Sequence, residues 1–383
     1  MLTCVYNKTV MAGINRARVS FARLLSAKPQ CRIEDISMKI RRRSFIQNTL
    51  LAGAGVAAGR AARGAAGTDG VRAKDGDVRA VLLHLGYNMW HDPQTKLNLN
   101  EALWDQTIAF MAEKKMNLLV VDVGEGLAFP SRPELAVDGS WSPAKMRAFV
   151  ARVNGLGIEV VPKLNFSATH DVWLGVYSRM VSSRKYYEAV KDVIRDTAEI
   201  FSSPRLFHLG WDEETAQHQS RQDYAVVRQG DLWWHDFLYT VKCAEDAGSR
   251  PWVWSDYGWH HADYLTRCPK SVMQSNWYYD EDLGGMSLDK EKNRYAHILK
   301  HYLDLDKAGF DQIPCGSNWL SGRHKQAKLP ANESIVPLVK FCREKVSPQL
   351  LKGFMMASWA YLKDEQAYAA NRAGIELLDL ALQ

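Results

Sequence analysis

From about residue 80 onward the chain alternates, eight times over, between a short apolar run and an amphipathic stretch. This alternation restricts its fold more than any other feature. The strand-like runs are 80–86, 117–123, 158–164, 205–210, 251–255, 271–277, 311–316 and 353–358. Between them, apolar side chains recur at helical spacing over 99–115, 142–155, 184–201, 231–248, 293–309, 332–345 and 364–382, with only a short, weakly helical segment after 251–255. The clearest helix is 184–201, where Tyr187, Val190, Ile194, Thr197 and Phe201 share a face and Ser182 or Ser183 supplies the cap. Eight strand–helix units within residues 67–383 predict an α/β fold, a single-domain (β/α)8 TIM barrel. A doubly wound sheet would carry a glycine-rich phosphate loop after its first strand, and Gly86-Tyr87-Asn88-Met89-Trp90 does not provide one.

Residues 1–66 read differently. Arg41-Arg42-Arg43-Ser44-Phe45-Ile46-Gln47 is a twin-arginine pattern. A mildly apolar run from Leu50 to Ala58 follows, then an Ala/Gly-rich stretch suited to signal-peptidase cleavage between Ala58 and Ala66. That run is far shorter than the roughly 20 residues that span a bilayer, and no later segment is longer and apolar, so no stable membrane insertion is expected. Residues 1–66 are therefore read as an N-terminal extension and signal peptide, with Met38 the expected start. The twin-arginine export machinery is the expected partner of the precursor, and the periplasm or the medium the destination. Of the chain's 49 basic and 43 acidic side chains this leader holds 12 and 2, which leaves 37 against 41 and a net charge of −4. The basicity belongs to the leader, so nucleic acid is not an expected partner. Cys243, Cys268, Cys315 and Cys342 follow it, widely spaced and without a Cys-x-x-Cys, which indicates neither a zinc knuckle nor a redox motif. Export in the folded state from a reducing cytoplasm predicts buried free thiols.

In a (β/α)8 barrel the active site lies at the carboxyl ends of the strands. Chemically loaded residues collect at those ends here. The first strand runs into Tyr87, Asn88, Trp90, His91 and Asp92, the second into Asp122 and Glu125, and the third into Lys163, Asn165 and His170. The fourth supplies Trp211, Asp212 and Glu213, and the fifth Trp254 and Asp256. The sixth ends in Asn276, Trp277, Tyr278 and Tyr279, the seventh in Asn318 and Trp319, the eighth in Trp359 and Tyr361. Indoles and phenols around carboxylates suit a pyranose: aromatic faces stack on sugar C–H surfaces while polar groups bond the hydroxyls. The sharpest signal is His208-Leu209-Gly210-Trp211-Asp212-Glu213-Glu214. Adjacent acids repel and are costly to desolvate, whereas one acid kept protonated beside one kept ionised is the equipment for cleaving a glycosidic bond. Successive strand residues point to opposite faces, so Asp212 and Glu213 reach one sugar only if the chain leaves the strand at Gly210-Trp211.

The candidate catalytic residues are thus Glu213 and Asp212. The candidate substrate-binding residues are Trp211, His170, Asn165, Trp254, Asp256, Trp277, Trp319 and Trp359. No metal or cofactor is expected.

His208-Leu209-Gly210-Trp211-Asp212-Glu213 resembles the His-x-Gly-Gly/Ala-Asp-Glu motif of glycoside hydrolase family 20, the β-N-acetylhexosaminidases. Leu156-Gly157-Ile158-Glu159-Val160-Val161-Pro162 is similar to the family's strand leading to Pro-Glu, with His170 matching the His that follows it. Trp252-Val253-Trp254-Ser255-Asp256, Gln274 to Trp277, and Ala357-Ser358-Trp359 are similar to its later barrel strands, so the resemblance covers most of residues 78–380. It implies substrate-assisted retaining hydrolysis of an oligosaccharide or glycoconjugate. In that scheme Glu213 is the general acid, and Asp212 stays ionised to orient the 2-acetamido group whose carbonyl oxygen attacks the anomeric carbon. There are departures. Trp211 stands where the family has a small residue, which implies a bulkier pocket floor. The first strand lacks the family's sugar-holding arginine, and Cys315-Gly316-Ser317-Asn318-Trp319 lacks its Asp-x-Tyr. Tyr361 replaces a Glu two residues after Trp359. Two other readings stay open: a carbohydrate-binding barrel without turnover, and a metal-dependent barrel hydrolase using carboxylates with His84, His208 or His260. No His-x-His or His-Glu-x-x-His spacing accompanies the latter.

Overall fold

The computed structural model describes residues 71–89 and 92–383 of the 383-residue chain. The expectations for the leader, and for Trp90 and His91, lie outside the described residues. Eight strands follow one another: β1 (Val78–His84), β2 (Leu118–Asp122), β3 (Glu159–Lys163), β4 (Leu206–His208), β5 (Arg250–Trp254), β6 (Met273–Ser275), β7 (Cys315–Gly316) and β8 (Gly353–Ala357). All pair in parallel in the order β6-β5-β4-β3-β2-β1-β8-β7. Single bridges, Gln274 to Gln312 and Trp277 to Cys315, bring β6 to β7 and complete the ring. This is the (β/α)8 barrel.

The strands read as nearly continuous apolar runs because both of their faces are covered. In β2 all five residues are buried. Leu118 and Val120 point inward with Ala80, Leu82, Val161, Trp252, Met273 and Met355, filling the barrel. Leu119 and Val121 point outward with Val81, Leu83, Phe207, Val253 and Met356, against the surrounding helices. Each such buried side chain stabilises the fold by about 1.5–3 kcal/mol relative to exposure.

The main helices are α1 (Glu101–Glu113), α2 (Pro143–Asn154), α3 (Arg184–Ile200), α4 (Gly230–Asp246), α6 (Ala296–Lys307), α8 (Ile335–Lys345) and α9 (Glu365–Leu382), with two short ones, α5 (Tyr264–Arg267) and α7 (Gly322–Gln326). Several begin where a short polar side chain accepts an otherwise orphaned N–H: Asn100 for α1, Ser142 ahead of Pro143 for α2, Ser183 for α3 and Asp364 for α9. Ser183, not Ser182, caps α3; Ser182 instead donates to Asp236.

Three expected strands are cut short: 205–210 and 271–277 keep three ladder residues each, and 311–316 keeps fewest. The window 311–316 gives only two ladder residues, because Pro314 has no N–H to donate. Gln312 makes isolated bridges instead, to Gln274 on one side and Leu351 on the other. The four cysteines are free and buried, as expected. Among the described residues no helix is long and apolar enough to cross a membrane.

Candidate active site

The motif after β4 is shaped by its backbone. Gly210, Trp211 and Glu213 all take left-handed conformations, at φ 72°, 74° and 58°. The chain therefore leaves the strand where the acid pair required it to. Only glycine fits the first position, since a Cβ on Gly210 would lie 2.0 Å from Asn165 Oδ1. Left-handed Trp211 and Glu213 store strain of about 1–3 kcal/mol each, and surrounding bonds hold them there. Asn165, from the loop after β3, does much of this. Its Oδ1 accepts from the N–H groups of Trp211 and Ser167, each at 3.1 Å, while its Nδ2 donates to Asp212 Oδ1 at 2.7 Å. Thr169 donates its hydroxyl to the Glu213 carbonyl at 2.7 Å, and the Glu213 N–H donates to Asp256 Oδ2 at 2.9 Å.

One nitrogen joins the two acids. His170 Nε2 lies 3.3 Å from Asp212 Oδ2 and 3.3 Å from Glu213 Oε2. Burial opposes charge on His170, but the Asp212 and Glu213 carboxylates overcome it and push its pKa up to about 10. Burial likewise opposes charge on Asp212, yet the His170 imidazolium, the Lys163 ammonium and the Asn165 amide hold it well below the usual carboxylate range. Asp256 behaves in the opposite way. Burial, with the Asp212 and Glu213 carboxylates close by, drives its pKa well above the ordinary value. Glu214, the third acid of the run, turns away from the site. It pairs with Arg228 and accepts from the N–H groups of Ala168 and Arg228. Arg228 also donates to Asp236 at 2.7 Å.

A cavity of ≈ 470 Å³ opens at this end of the barrel, within the range of small-ligand sites. Seven of the expected substrate and catalytic residues besides Glu213 border it: Asn165, His170, Asp212, Trp254, Trp277, Trp319 and Trp359. Met89, Lys163, His218, Tyr279 and Glu281 complete the wall. Lys163 sits on the floor, 2.5 Å from Asp122, which also lies 3.3 Å from His84. Burial of Asp122 is outweighed by Lys163 and His84, and its pKa falls to about 2. Trp359 Nε1 donates to the Tyr279 hydroxyl at 3.2 Å, which fixes one indole against one phenol. Trp277 and Tyr279 stack with centroids 5.1 Å apart.

Two expectations need correction. Trp211 is no sugar platform. Its ring packs edge-on against Trp233 and Phe237 of α4, its Nε1 donates to Thr240 at 2.9 Å, and it is 2% exposed. The left-handed turn sends it outward into the helix layer, so the bulkier pocket floor implied by the resemblance is not there. Asp256 does not border the main cavity either; it lines a smaller one of ≈ 250 Å³ that shares Glu213, His218, Trp277, Tyr279 and Glu281 with the first, and its Oδ2 accepts from the Glu213 N–H. Of the histidines considered for a metal, His208 is buried with Nδ1 accepting from the Gly210 N–H at 3.1 Å, and His84 faces Asp122. The histidine that does meet the acid pair is His170, and among the described residues His170, Asp212 and Glu213 place ligand atoms within 4.8 Å of one another.

No family model matches the sequence, and no curated protein matches it. Solved structures do. The chain is similar to the β-N-acetylhexosaminidase from Bacteroides fragilis, with a TM-score of 0.54 and 13% identity over 77% of this chain and 65% of that one. It is similar to Dispersin B, with a TM-score of 0.51 and 14% identity over 79% of this chain and 98% of that one. It is similar also to the family 20 β-N-acetylhexosaminidase from Streptomyces coelicolor, with a TM-score of 0.51 and 14% identity over 78% and 64%. The likeness is one of fold: the (β/α)8 barrel seen here is also that of these family 20 structures. The chain spans about two thirds of the length of the first of these structures.

His218, Glu281 and Met89 had no signal in the sequence. They lie on loops without periodicity, and only the folded chain brings them to the acid pair. Lys163 and Tyr279 were visible as strand-end residues, but nothing in their spacing separated a site role from a covering one.

Proposed function

We propose that this protein is a glycoside hydrolase acting on 2-acetamido sugars of oligosaccharides or glycoconjugates, with Glu213 as general acid and Asp212 as the orienting carboxylate. The observation that carries the reading is the single His170 nitrogen placed equally, at 3.3 Å, from both carboxylates inside an indole-walled cavity. In the first step Glu213 gives its proton to the glycosidic oxygen, and the bond from that oxygen to the anomeric carbon breaks. The substrate's acetamido oxygen forms the replacing bond, while the ionised Asp212 accepts from the acetamido N–H. A water then opens the resulting oxazolinium, losing its proton to the Glu213 carboxylate. The His170 imidazolium stabilises the anion that Glu213 becomes after proton transfer. The hexosaminidase names borne by the similar structures support the same reaction class.

The test is a hydrolysis screen of the purified protein on aryl glycosides with and without a 2-acetamido group. Glu213→Gln should lose turnover of poor leaving groups by 10²-fold or more and suffer less with activated ones. Asp212→Asn should cripple acetamido sugars in particular. Unchanged activity in Glu213→Gln on both kinds of leaving group sinks the assignment. The His170, Asp212 and Glu213 grouping is also one that a divalent cation could occupy, so the screen is run with and without chelator; activity abolished by chelator and restored by metal would favour the metal-dependent alternative.

The twin-arginine pattern Arg42-Arg43 supports action outside the cytoplasm, with residues 67–383 as the mature enzyme. Replacing both arginines by lysine should strand the protein in the cytoplasmic fraction; secretion unaffected by that change would refute export by this route.

A further inference from the structure

Trp211 and Glu214 flank the acid pair, and both turn away from the cavity toward one side chain. That side chain is Arg228, 4% exposed and two residues ahead of α4. Its guanidinium lies 4.9 Å from the centroid of the Trp211 ring, close enough for a cation–π contact. Its Nη1 pairs with Glu214 Oε2, and its backbone N–H donates to Glu214 Oε1 at 2.8 Å. Glu214 Oε2 also accepts from the Ala168 N–H at 2.9 Å, in the loop that carries His170. Arg228 therefore joins the turn bearing Asp212 and Glu213 to the loop bearing the histidine between them.

The other arms of the guanidinium run to the helix layer. Nε donates to Asp236 Oδ2 of α4 at 2.7 Å, and Nη2 to the Tyr186 hydroxyl of α3 at 2.9 Å. Three directions are used at once, which the planar fork of an arginine provides and the compact ammonium of a lysine does not. The turn has need of such an anchor. Trp211 and Glu213 hold φ at 74° and 58°, and backbone in that region persists only where the surroundings over-determine it. Asn165 fixes the run at Trp211 N–H and at the Asp212 carboxylate. Arg228 grips the side chain on either end of the acid pair. It borders neither cavity, so it acts on the reaction through the residues it holds.

We propose that Arg228 is the positioning residue of the general acid: by gripping Trp211 and Glu214 it sets the line along which Glu213 offers its proton to the glycosidic oxygen. This rests on the assignment of Glu213 as the acid and adds how that acid is aimed. A misplacement of about 1 Å in a reacting group costs on the order of 10²-fold in rate. Here the loss falls on the step that needs the proton.

The experiment compares Arg228→Lys and Glu214→Gln with the parent full chain on two aryl 2-acetamido glycosides, one with a poor leaving group and one with an activated one. Arg228→Lys keeps the charge but not the fork. Glu214→Gln keeps the shape but leaves one oxygen for two N–H donors. In Arg228→Lys, kcat on the poor leaving group should fall by about 10²-fold and on the activated one by less than about fivefold, with KM within about twofold. Glu214→Gln should show the same split, at about tenfold on the poor leaving group. Urea unfolding gives the folded fraction of each variant, and a purely structural role would lower both rates by that one fraction. Equal losses on the two substrates in Arg228→Lys, or none, overturn the inference; if that variant does not fold, Glu214→Gln decides by the same criteria. Glu213→Gln run beside them keeps the two assignments apart. A leaving-group split seen there but not in Arg228→Lys removes the role of Arg228 and leaves the acid standing, whereas no split in Glu213→Gln removes the acid itself.

Discussion

Gly210 is the position at which one methyl group should do most harm. An alanine there must hold φ near 72°, which costs an ordinary residue about 1–2 kcal/mol. Its Cβ would also lie 2.0 Å from Asn165 Oδ1 and 2.7 Å from Asn165 Cα, so the Asn165 side chain has to move away. That movement breaks the bonds from Trp211 N–H and Ser167 N–H, at about 1 kcal/mol each, and the bond to the Asp212 carboxylate, worth about 1.5–3 kcal/mol. Gly210→Ala should therefore destabilise the protein by roughly 4.5–7 kcal/mol and should also lower hydrolysis, because Asp212 loses the amide that fixes it. Urea unfolding followed by tryptophan fluorescence measures the first effect. The cause is separated by a double-mutant cycle with Asn165→Ala, which removes the obstructing side chain in advance. If the clash is chiefly with the Asn165 side chain, adding Gly210→Ala to Asn165→Ala should cost clearly less than it costs the parent, what remains being the backbone cost of about 1–2 kcal/mol and the contact with the Asn165 Cα at 2.7 Å, which the alanine keeps. A loss below about 1 kcal/mol for Gly210→Ala, or strictly additive losses in the cycle, would refute the reasoning.

Other expectations follow from the same contacts. Trp211→Phe should cost about 1 kcal/mol for the lost bond to Thr240 and leave KM within twofold; a tenfold rise in KM would return Trp211 to the sugar site. Arg228→Met strands Glu214 and Asp236 in the interior, and should cost about 3–5 kcal/mol in urea unfolding; a loss under about 1 kcal/mol would mean that those charges find water. Asp256→Asn should act in the stabilising direction. The native Asp256 keeps a proton that the unfolded chain gives up above about pH 4, so its contribution to stability falls as pH rises from there. The asparagine retains an oxygen for the Glu213 N–H without that penalty. It should exceed the parent at pH 7 by at least about 1 kcal/mol, with the gap closing near pH 4; an equal gap at both pH values would show that the carboxyl is not protonated in the fold.

The barrel was legible because its strands are buried on both faces and so appear as apolar runs whatever their neighbours. β7 was the weakest of them because Pro314 removes a donor that the apolar pattern does not reveal. Within the site, Asp212, Glu213, His170 and Asn165 were legible because chemistry concentrates them at strand ends. The direction of Trp211 was not. Strand alternation fails once the chain turns left-handed, and Trp211 and Glu213 are residue types that give no warning of a positive φ. His218 and Glu281 reach the cavity from loops, where position depends on long-range bonds that a local reading does not contain.

The acids around the turn show why a cluster costly to fold persists. Asp212 is kept ionised by His170, Lys163 and Asn165, and Glu214, which does not border the main cavity, is neutralised by Arg228. Burial and its acidic neighbours push the Asp256 carboxyl toward its protonated form. Four carboxyl groups close in space thus carry far less net charge than their number implies, and Glu213, sharing His170 with Asp212, stands at the boundary between the two cavities. A substitution that equalises these environments would leave every residue type of the motif's acid run in place and still remove the difference between acid and orienting base. His170→Phe is that substitution. It keeps a ring of similar size, deletes the cation shared by both carboxylates, and should raise the Asp212 pKa toward the ordinary range and beyond. The acidic limb of the pH–rate profile should accordingly move to higher pH, and a profile that stays where it was would show that Lys163 and Asn165 alone suffice to hold Asp212 ionised.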